Sequence, residues 1–215
     1  MTDSPIFSLL LLVTLIVLGS FAIGTHLNVR KGDAILKWLR QGLPLIGERT
    51  TMRWLGSSVM ELKIAKANAP FRNTETLAVF EPRDVLILWL WSRTRGRRDL
   101  LIFRAQLNTS PKFELEAFDP KGWTTHHTER DVKKKNWKPI ELGDPSLLAY
   151  HSGARAEQVK PLIDLATRAG GKLVRLSVHR NVPNLELHWL LPNPTKFSAR
   201  ELFLKIRQIA DEVTQ

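Results

Sequence analysis

Three rhythms of apolar residues divide this chain. The first is unbroken: Ile6 to Ile23 (IFSLLLLVTLIVLGSFAI) holds eighteen residues without a charge. At about 1.5 Å per helical residue the run covers ~27 Å, or ~33 Å if it continues to Leu27, which matches the hydrocarbon thickness of a bilayer. Only Asp3 and the terminal amine precede it, so the basic flank of a secretory signal is missing, although Ser20-Phe21-Ala22 has the spacing of a cleavage site. Residues 1–28 therefore read as an uncleaved transmembrane anchor. The second rhythm is helical. Within a juxtamembrane segment, residues 29–50, Ile35, Leu36, Leu39 and Leu43 recur at helix spacing over Asp33 to Leu43, with Trp38 beside them and Lys37, Arg40 and Gln41 on the other side. That stripe suits either the headgroup layer or the surface of a folded domain.

The third rhythm is alternation, and it dominates the rest of the chain. Ser58 to Lys66 alternates about Met60, Leu62 and Ile64, and Thr76 to Phe80 is a short apolar strand stopped by Pro82. Arg83 to Arg95 is predicted helical. Asp99 to Leu107 and Phe113 to Phe118 are predicted to pair as a hairpin, which would set Arg104 opposite Glu116. Residues 121–146 carry little periodicity and read as a basic linker loop. Beyond it come a strand from Leu147 to His151, a helix from Ala154 to Ala169 ended by Gly170-Gly171, and two strands, Lys172 to Arg180 and Leu185 to Leu191, about an Asn181-Val182-Pro183-Asn184 turn.

The order β-α-β-β thus occurs twice, in lobes 51–120 and 147–215. Matching elements begin at Thr76, Asp99 and Phe113 and again at Leu147, Lys172 and Leu185, offsets of 71, 73 and 72 residues, closer to constant than unrelated elements usually are. From Ser198, a last helix with Glu201 at the capping-box position and a stripe of Leu202, Ile206, Ile209 and Val213 should cover one sheet face. The expected fold is α+β: a transmembrane helix, then a pseudo-duplicated β-α-β-β domain with mostly antiparallel sheet and a C-terminal covering helix.

Charge changes the picture by giving the chain a preferred kind of partner. The 32 Lys and Arg against 21 Asp and Glu, a net +11, favour anionic surfaces such as acidic lipid or nucleic acid. Arg30, Lys31, Lys37 and Arg40 follow the anchor with only Asp33 opposed, and no Lys or Arg precedes it. The positive-inside rule then expects a single-pass cell-membrane protein with its N-terminus outside and its domain in the cytoplasm. Cysteine is absent, which excludes disulfides, thiolate nucleophiles and thiolate metal sites. Seven Trp against one Tyr is a composition suited to membrane interfaces.

Two constellations carry candidate chemistry. Val85 to Trp91 is apolar nearly all round as a helix, contains Trp89 and Trp91, and runs straight into Arg93, Arg95, Arg97 and Arg98. Burial in the core with the arginines solvated beyond is the ordinary expectation; facing a partner protein or the bilayer is the other. Arg130, Lys133, Lys134, Lys135, Trp137 and Lys138 form a second basic, aromatic patch. On the second hairpin, pairing Leu176 with Trp189 puts Val174, Leu176, Val178, Leu185, Leu187, Trp189 and Leu191 on one face. Arg175, Ser177, His179, Glu186 and His188 then fall on the other, with Ser177 opposite His188 and His179 opposite Glu186. His179, Glu186 and His188 are weak candidates for a metal or for acid–base work, and a solvated polar sheet face is the favoured account of them, since spacing alone selects no metal. The adjacent pair His126-His127 is given no role. No P-loop, GxGxxG, GxSxG, HExxH, RNP, KH or zinc-knuckle pattern occurs, and no cofactor is expected.

The runs Arg53-Trp54-Leu55-Gly56-Ser57-Ser58, Phe80-Glu81-Pro82-Arg83-Asp84, Arg97-Arg98-Asp99-Leu100-Leu101 and Phe113-Glu114-Leu115-Glu116 resemble those of an uncharacterised family of single-pass bacterial membrane proteins. The resemblance covers about a third of the chain and implies an anchor plus a soluble α+β domain, with no known activity, cofactor or functional residue. The cytosolic domain of the coiled-coil translocon-associated proteins of the endoplasmic reticulum is a more distant likeness in element order. Their long charged coiled coil has no counterpart in this sequence, so ribosome binding is not carried over. The expectation is a membrane-anchored interaction or scaffold module, more an adaptor than an enzyme, that binds anionic lipid or a membrane-protein partner. A metal-dependent enzyme and an RNA- or ribosome-binding membrane protein are the alternatives.

Overall fold

A computed structural model of the chain describes residues 5–125 and 127–214. Its longest element, α1 (Pro5–Leu39), does not break where the apolar run ends. Its 35 residues span ~52 Å. Its eighteen-residue apolar window is wholly unburied and long enough to cross a membrane. The last turns enter the domain, where Gly24, Asn28, Gly32, Ile35, Trp38 and Leu39 are buried. The stripe read over Asp33 to Leu43 is thus the end of α1 plus a 3-10 turn, Leu43–Leu45, and it packs on the domain. Trp38 fixes the helix by donating its indole N–H to the Phe197 carbonyl at 2.7 Å.

Among the described residues nine strands form one open antiparallel sheet: β1 (Thr50–Trp54), β2 (Val59–Ile64), β3 (Phe71–Val79), β4 (Leu100–Leu107), β5 (Glu114–Phe118), β6 (Lys138–Ile140), β7 (Leu148–Ser152), β8 (Leu173–Val178) and β9 (Leu185–Leu190), in the order β1-β2-β3-β4-β9-β8-β5-β7-β6. Helices α2 (Leu86–Thr94), α3 (Thr128–Lys134), α4 (Ala156–Thr167) and α5 (Ala199–Thr214) complete the described chain. The fold class is α+β, as the alternation predicts, with α5 laid over one sheet face by Leu202, Phe203, Ile206, Ile209 and Val213. Half of the predicted capping box is present, the Glu201 amide donating to the Ser198 hydroxyl at 3.4 Å.

The order β-α-β-β does occur twice, as β3-α2-β4-β5 and β7-α4-β8-β9, but the two copies pair differently. β8 and β9 form a hairpin. β4 and β5 do not: the β9–β8 pair lies between them, so β4 is bound by β3 and β9, and β5 by β8 and β7. Arg104 therefore faces Glu186 and Glu75 instead of Glu116. Local alternation sets which face a residue joins, whereas strand partners are chosen by which apolar faces share a core. The second hairpin is also shifted by two residues, pairing Val178 with Leu185 and Leu176 with Leu187, because the His179 amide closes the turn on the Asn184 carbonyl at 2.9 Å. A shift of two keeps every side chain on its face, except that a bulge between Leu173 and Arg175 turns Val174 to the far side, against Leu77, Val79, Leu100 and Ile102. Three elements escaped the pattern: β1, whose central residues are exposed, and α3 and β6, which lie inside the segment read as a linker loop.

Candidate functional site

The first candidate surface lies where α1 leaves the domain. Gly24 sits so close to the 82–84 turn that a Cβ there would fall 2.0 Å from the Arg83 carbonyl oxygen. Around this contact a polar network replaces water. Asn28 donates to the Glu81 carbonyl at 3.1 Å, and Arg83 donates to the Asn28 side chain at 3.0 Å and to both oxygens of Asp99 at 3.1 and 3.0 Å. Asp99 also accepts from Lys31 and, at 2.7 Å, from the Glu81 amide. Burial alone would raise the Asp99 pKa, but these donors outweigh it and hold the carboxyl below its usual range.

Beside this junction, α2 is not the core helix that its composition suggests. Of its nine residues only Ser92 is buried, while Ile87 is 82 % and Trp91 54 % exposed, and Leu86, Leu88 and Leu90 are exposed with them. With Ser20, Ile23, Gly24 and Leu27 of α1, Leu86 and Trp89 line an apolar groove of about 330 Å³. The arginines divide by role. Arg93 stacks on Trp89 and donates to buried Glu81 at 3.2 Å, and Arg97 lies 4.6 Å over the ring of Trp123. Arg95 stacks on Trp91 of its own helix, and among the described residues Arg98 donates only to the carbonyls of Arg93 and Arg97, so these two charges stay outward.

The second candidate site is the sheet face turned away from α4 and α5. One transverse row of partners reads Lys63, Glu75, Arg104, Glu186, Ser177, Glu116 and Tyr150. Opposite charges directly across strands stabilise the pairing. The three residues weighed for a metal are split between two separate pairs. His188 bonds Glu186 and its Nδ1 meets Thr124 at 3.3 Å, whereas His179 Nε2 bonds Glu116 at 2.9 Å. Among the described residues no group of three or more His, Asp or Glu could hold a metal ion.

Glu116, which the sequence offered only as a hairpin partner, is the centre of this face. It is 2 % exposed and accepts from Arg175 at 3.0 and 2.7 Å, from Ser177 at 2.8 Å and from His179. Burial pushes its pKa up, yet His179 and Arg175 outweigh that and keep it low. In return the Glu116 hydrogen bond raises His179, against burial. The loop after β5 and α3 fold back over these residues to enclose a cleft of about 490 Å³ walled by Trp123 and Trp137. Of the second basic patch, Lys133 is paired with Glu129 at 2.6 Å, Lys134 and Lys138 are exposed, Lys135 stacks 5.4 Å over Trp137, and Trp137 itself is buried. His126 lies outside the described residues. Trp123 carries Arg97 on its ring and also lines the cleft, as does Lys135 of the second basic segment. No protein-family model matches this chain, and no curated protein is significantly similar to it in sequence.

Proposed function

We propose that this protein is an interaction module seated on the cytoplasmic face of a cell membrane, with α1 crossing the bilayer and α2 lying in the headgroup layer beside it. The observation that carries the reading is the exposure of Leu86, Ile87, Leu88, Leu90 and Trp91 on a helix packed against α1 at Ser20 to Leu27. Two short apolar surfaces, one on each helix, become one continuous surface at the depth where the apolar run ends, and water is a poor solvent for it. Arg95 and Arg98 then meet anionic headgroups, each contributing about 1 kcal/mol near a charged surface. The network through Asn28, Arg83 and Asp99 keeps α1 and the domain in one orientation, so the outer sheet face is presented to partners at a fixed height and angle.

Spin labels in the full chain reconstituted into lipid nanodiscs test this. A label at Ile87→Cys should be shielded from a water-soluble relaxation agent, while one at Lys134→Cys is fully accessible. Arg95→Gln with Arg98→Gln should reduce the preference for anionic over zwitterionic lipid around the protein. Equal water access at the two labels would remove the reading.

A further inference from the structure

The sheet ends at two edges that differ in kind. Edge strand β6 is short, Lys138–Ile140, and its middle residue, Pro139, has no N–H to offer. A short edge carrying Lys and Pro discourages the addition of another strand. The opposite edge, β1, lacks these guards: it runs without proline or bulge, from Thr50 opposite Ile64 to Trp54 opposite Met60. Beyond its end the Leu55 amide donates to the Val59 carbonyl at 2.8 Å, and that bond fixes the ladder. Antiparallel bonding alternates, so Arg53 and Thr51 exchange bonds with Glu61 and Lys63. The N–H and C=O groups of Thr50, Met52 and Trp54 therefore point away from β2, on the side where the sheet has no further strand.

Beside this open row lies a groove of about 370 Å³ between β1 and the end of α1, lined by Leu36, Arg40, Pro44, Glu48, Met52 and Leu62. Met52 is exposed in it. A chain extended along β1 would satisfy the Met52 main chain and drop every second side chain into the groove, the two halves of recognition by strand addition. Charge selects the chain. Residues 36–54 carry Lys37, Arg40, Arg49 and Arg53 against Glu48, and Glu61 on β2 is already held by Arg53 and Lys63. A second copy would bring the same cations together, whereas an acidic segment would neutralise them. Leu36 lies ~14 Å past Leu27 along α1, so the groove stands outside the hydrocarbon when the apolar run spans it.

We propose that β1 is a docking edge for an extended acidic segment of a partner protein, its main chain bonded to Met52, its alternate apolar side chains in the groove and its carboxylates against Arg40, Arg49 and Arg53. The inference uses no residue of α2, so peptide binding and the shielding of Ile87 are separate readouts and each can fail alone.

Fluorescence anisotropy of the full chain in phosphatidylcholine nanodiscs tests it, with a short labelled peptide alternating valine and glutamate as the probe. Saturable binding is expected, about tenfold weaker for the valine–lysine counterpart. Successive N–H groups of a strand point to opposite sides, so N-methylating one alternate set of peptide residues should abolish binding and N-methylating the other set should spare it. Met52→Pro removes the outward N–H and leaves the ladder bonds of Thr51 and Arg53 in place. It should weaken binding about tenfold while Met52→Leu preserves it, with near-ultraviolet circular dichroism reporting the fold of each. Should Met52→Pro unfold the chain, the methylated peptides decide, since they leave the protein unaltered. No saturable binding by the parent, equal loss from the two methylated peptides, or unchanged affinity in a folded Met52→Pro would overturn the proposal. So would a parent dimer in detergent that Met52→Pro dissociates, which would assign β1 to a second copy.

Discussion

His179 and His188 stand on the same sheet face and are held by burial and charge in opposite protonation preferences. The Glu116 hydrogen bond raises His179, whereas burial, aided by Arg175 and Arg104, lowers His188 despite its bond to Glu186. Glu186 is itself kept at about 2, its own burial outweighed by His188 and the neighbouring cations. A raised histidine stabilises the fold below its unfolded pKa near 6.5 and loses that contribution as pH rises through the folded value; a lowered one contributes above ~6.5 and loses it as pH falls. The two slopes have opposite signs and lie on opposite sides of ~6.5, the rise from His188 below it and the fall from His179 above it. In detergent-solubilised full chain, His179→Asn should remove the fall in stability above ~6.5 and keep the rise below it, and His188→Asn should do the reverse. Parallel shifts in the two variants would contradict the assignment. From sequence the two histidines look alike, both polar-facing on one hairpin. What separates them is Glu116, brought from β5, and Thr124, brought from the covering loop.

At the scale of elements, α1 and α2 show how one local pattern has two outcomes. Both are apolar over most of their surface, and the first run is long enough to cross a membrane. Seven apolar residues in Val85 to Trp91 are too few to span and enough to be core, so composition left burial as the ordinary outcome. The structure places α2 beyond the end of the sheet, against α1, because the Gly24 contact and the Arg83–Asp99 fork hold the 82–84 turn there. Gly24→Leu should therefore separate the helices. An overpacked contact costs about 1–3 kcal/mol, and the loss should appear as faster amide exchange in the 83–85 turn with the β4–β9 amides unchanged. Protection preserved throughout would show that the contact does not set the position of α2. The runs 53–58, 80–84 and 97–101 supply much of this junction, including Glu81, Arg83 and Asp99, with Trp54 packed 6.0 Å from Phe80.

For the whole molecule, the decisive question is which side of a membrane the sheet occupies. With the cationic flank Arg30 to Arg40 and a net charge of +11, the cytoplasmic side is expected. In intact cells a membrane-impermeant maleimide should leave Lys134→Cys unlabelled until the membrane is permeabilised, and labelling beforehand would reverse the orientation and remove the proposed lipid surface. The sequence by itself determined the long apolar N-terminal helix, the α+β class, the strand faces and the covering helix, because each follows from periodicity within one segment, and burial of an apolar face is nearly independent of what buries it. Only the tertiary structure decided that β9 and β8 separate β4 from β5, that α3 is a cover instead of a linker, that Arg97 stacks on Trp123, and that Trp123, Arg175 and Glu116 line one cleft. Those contacts join residues far apart in the chain, 26 positions for Arg97 and Trp123 and 59 for Glu116 and Arg175, and their selection depends on the closing of a single core shared by α1, α4, α5 and eight strands, information that no local pattern carries.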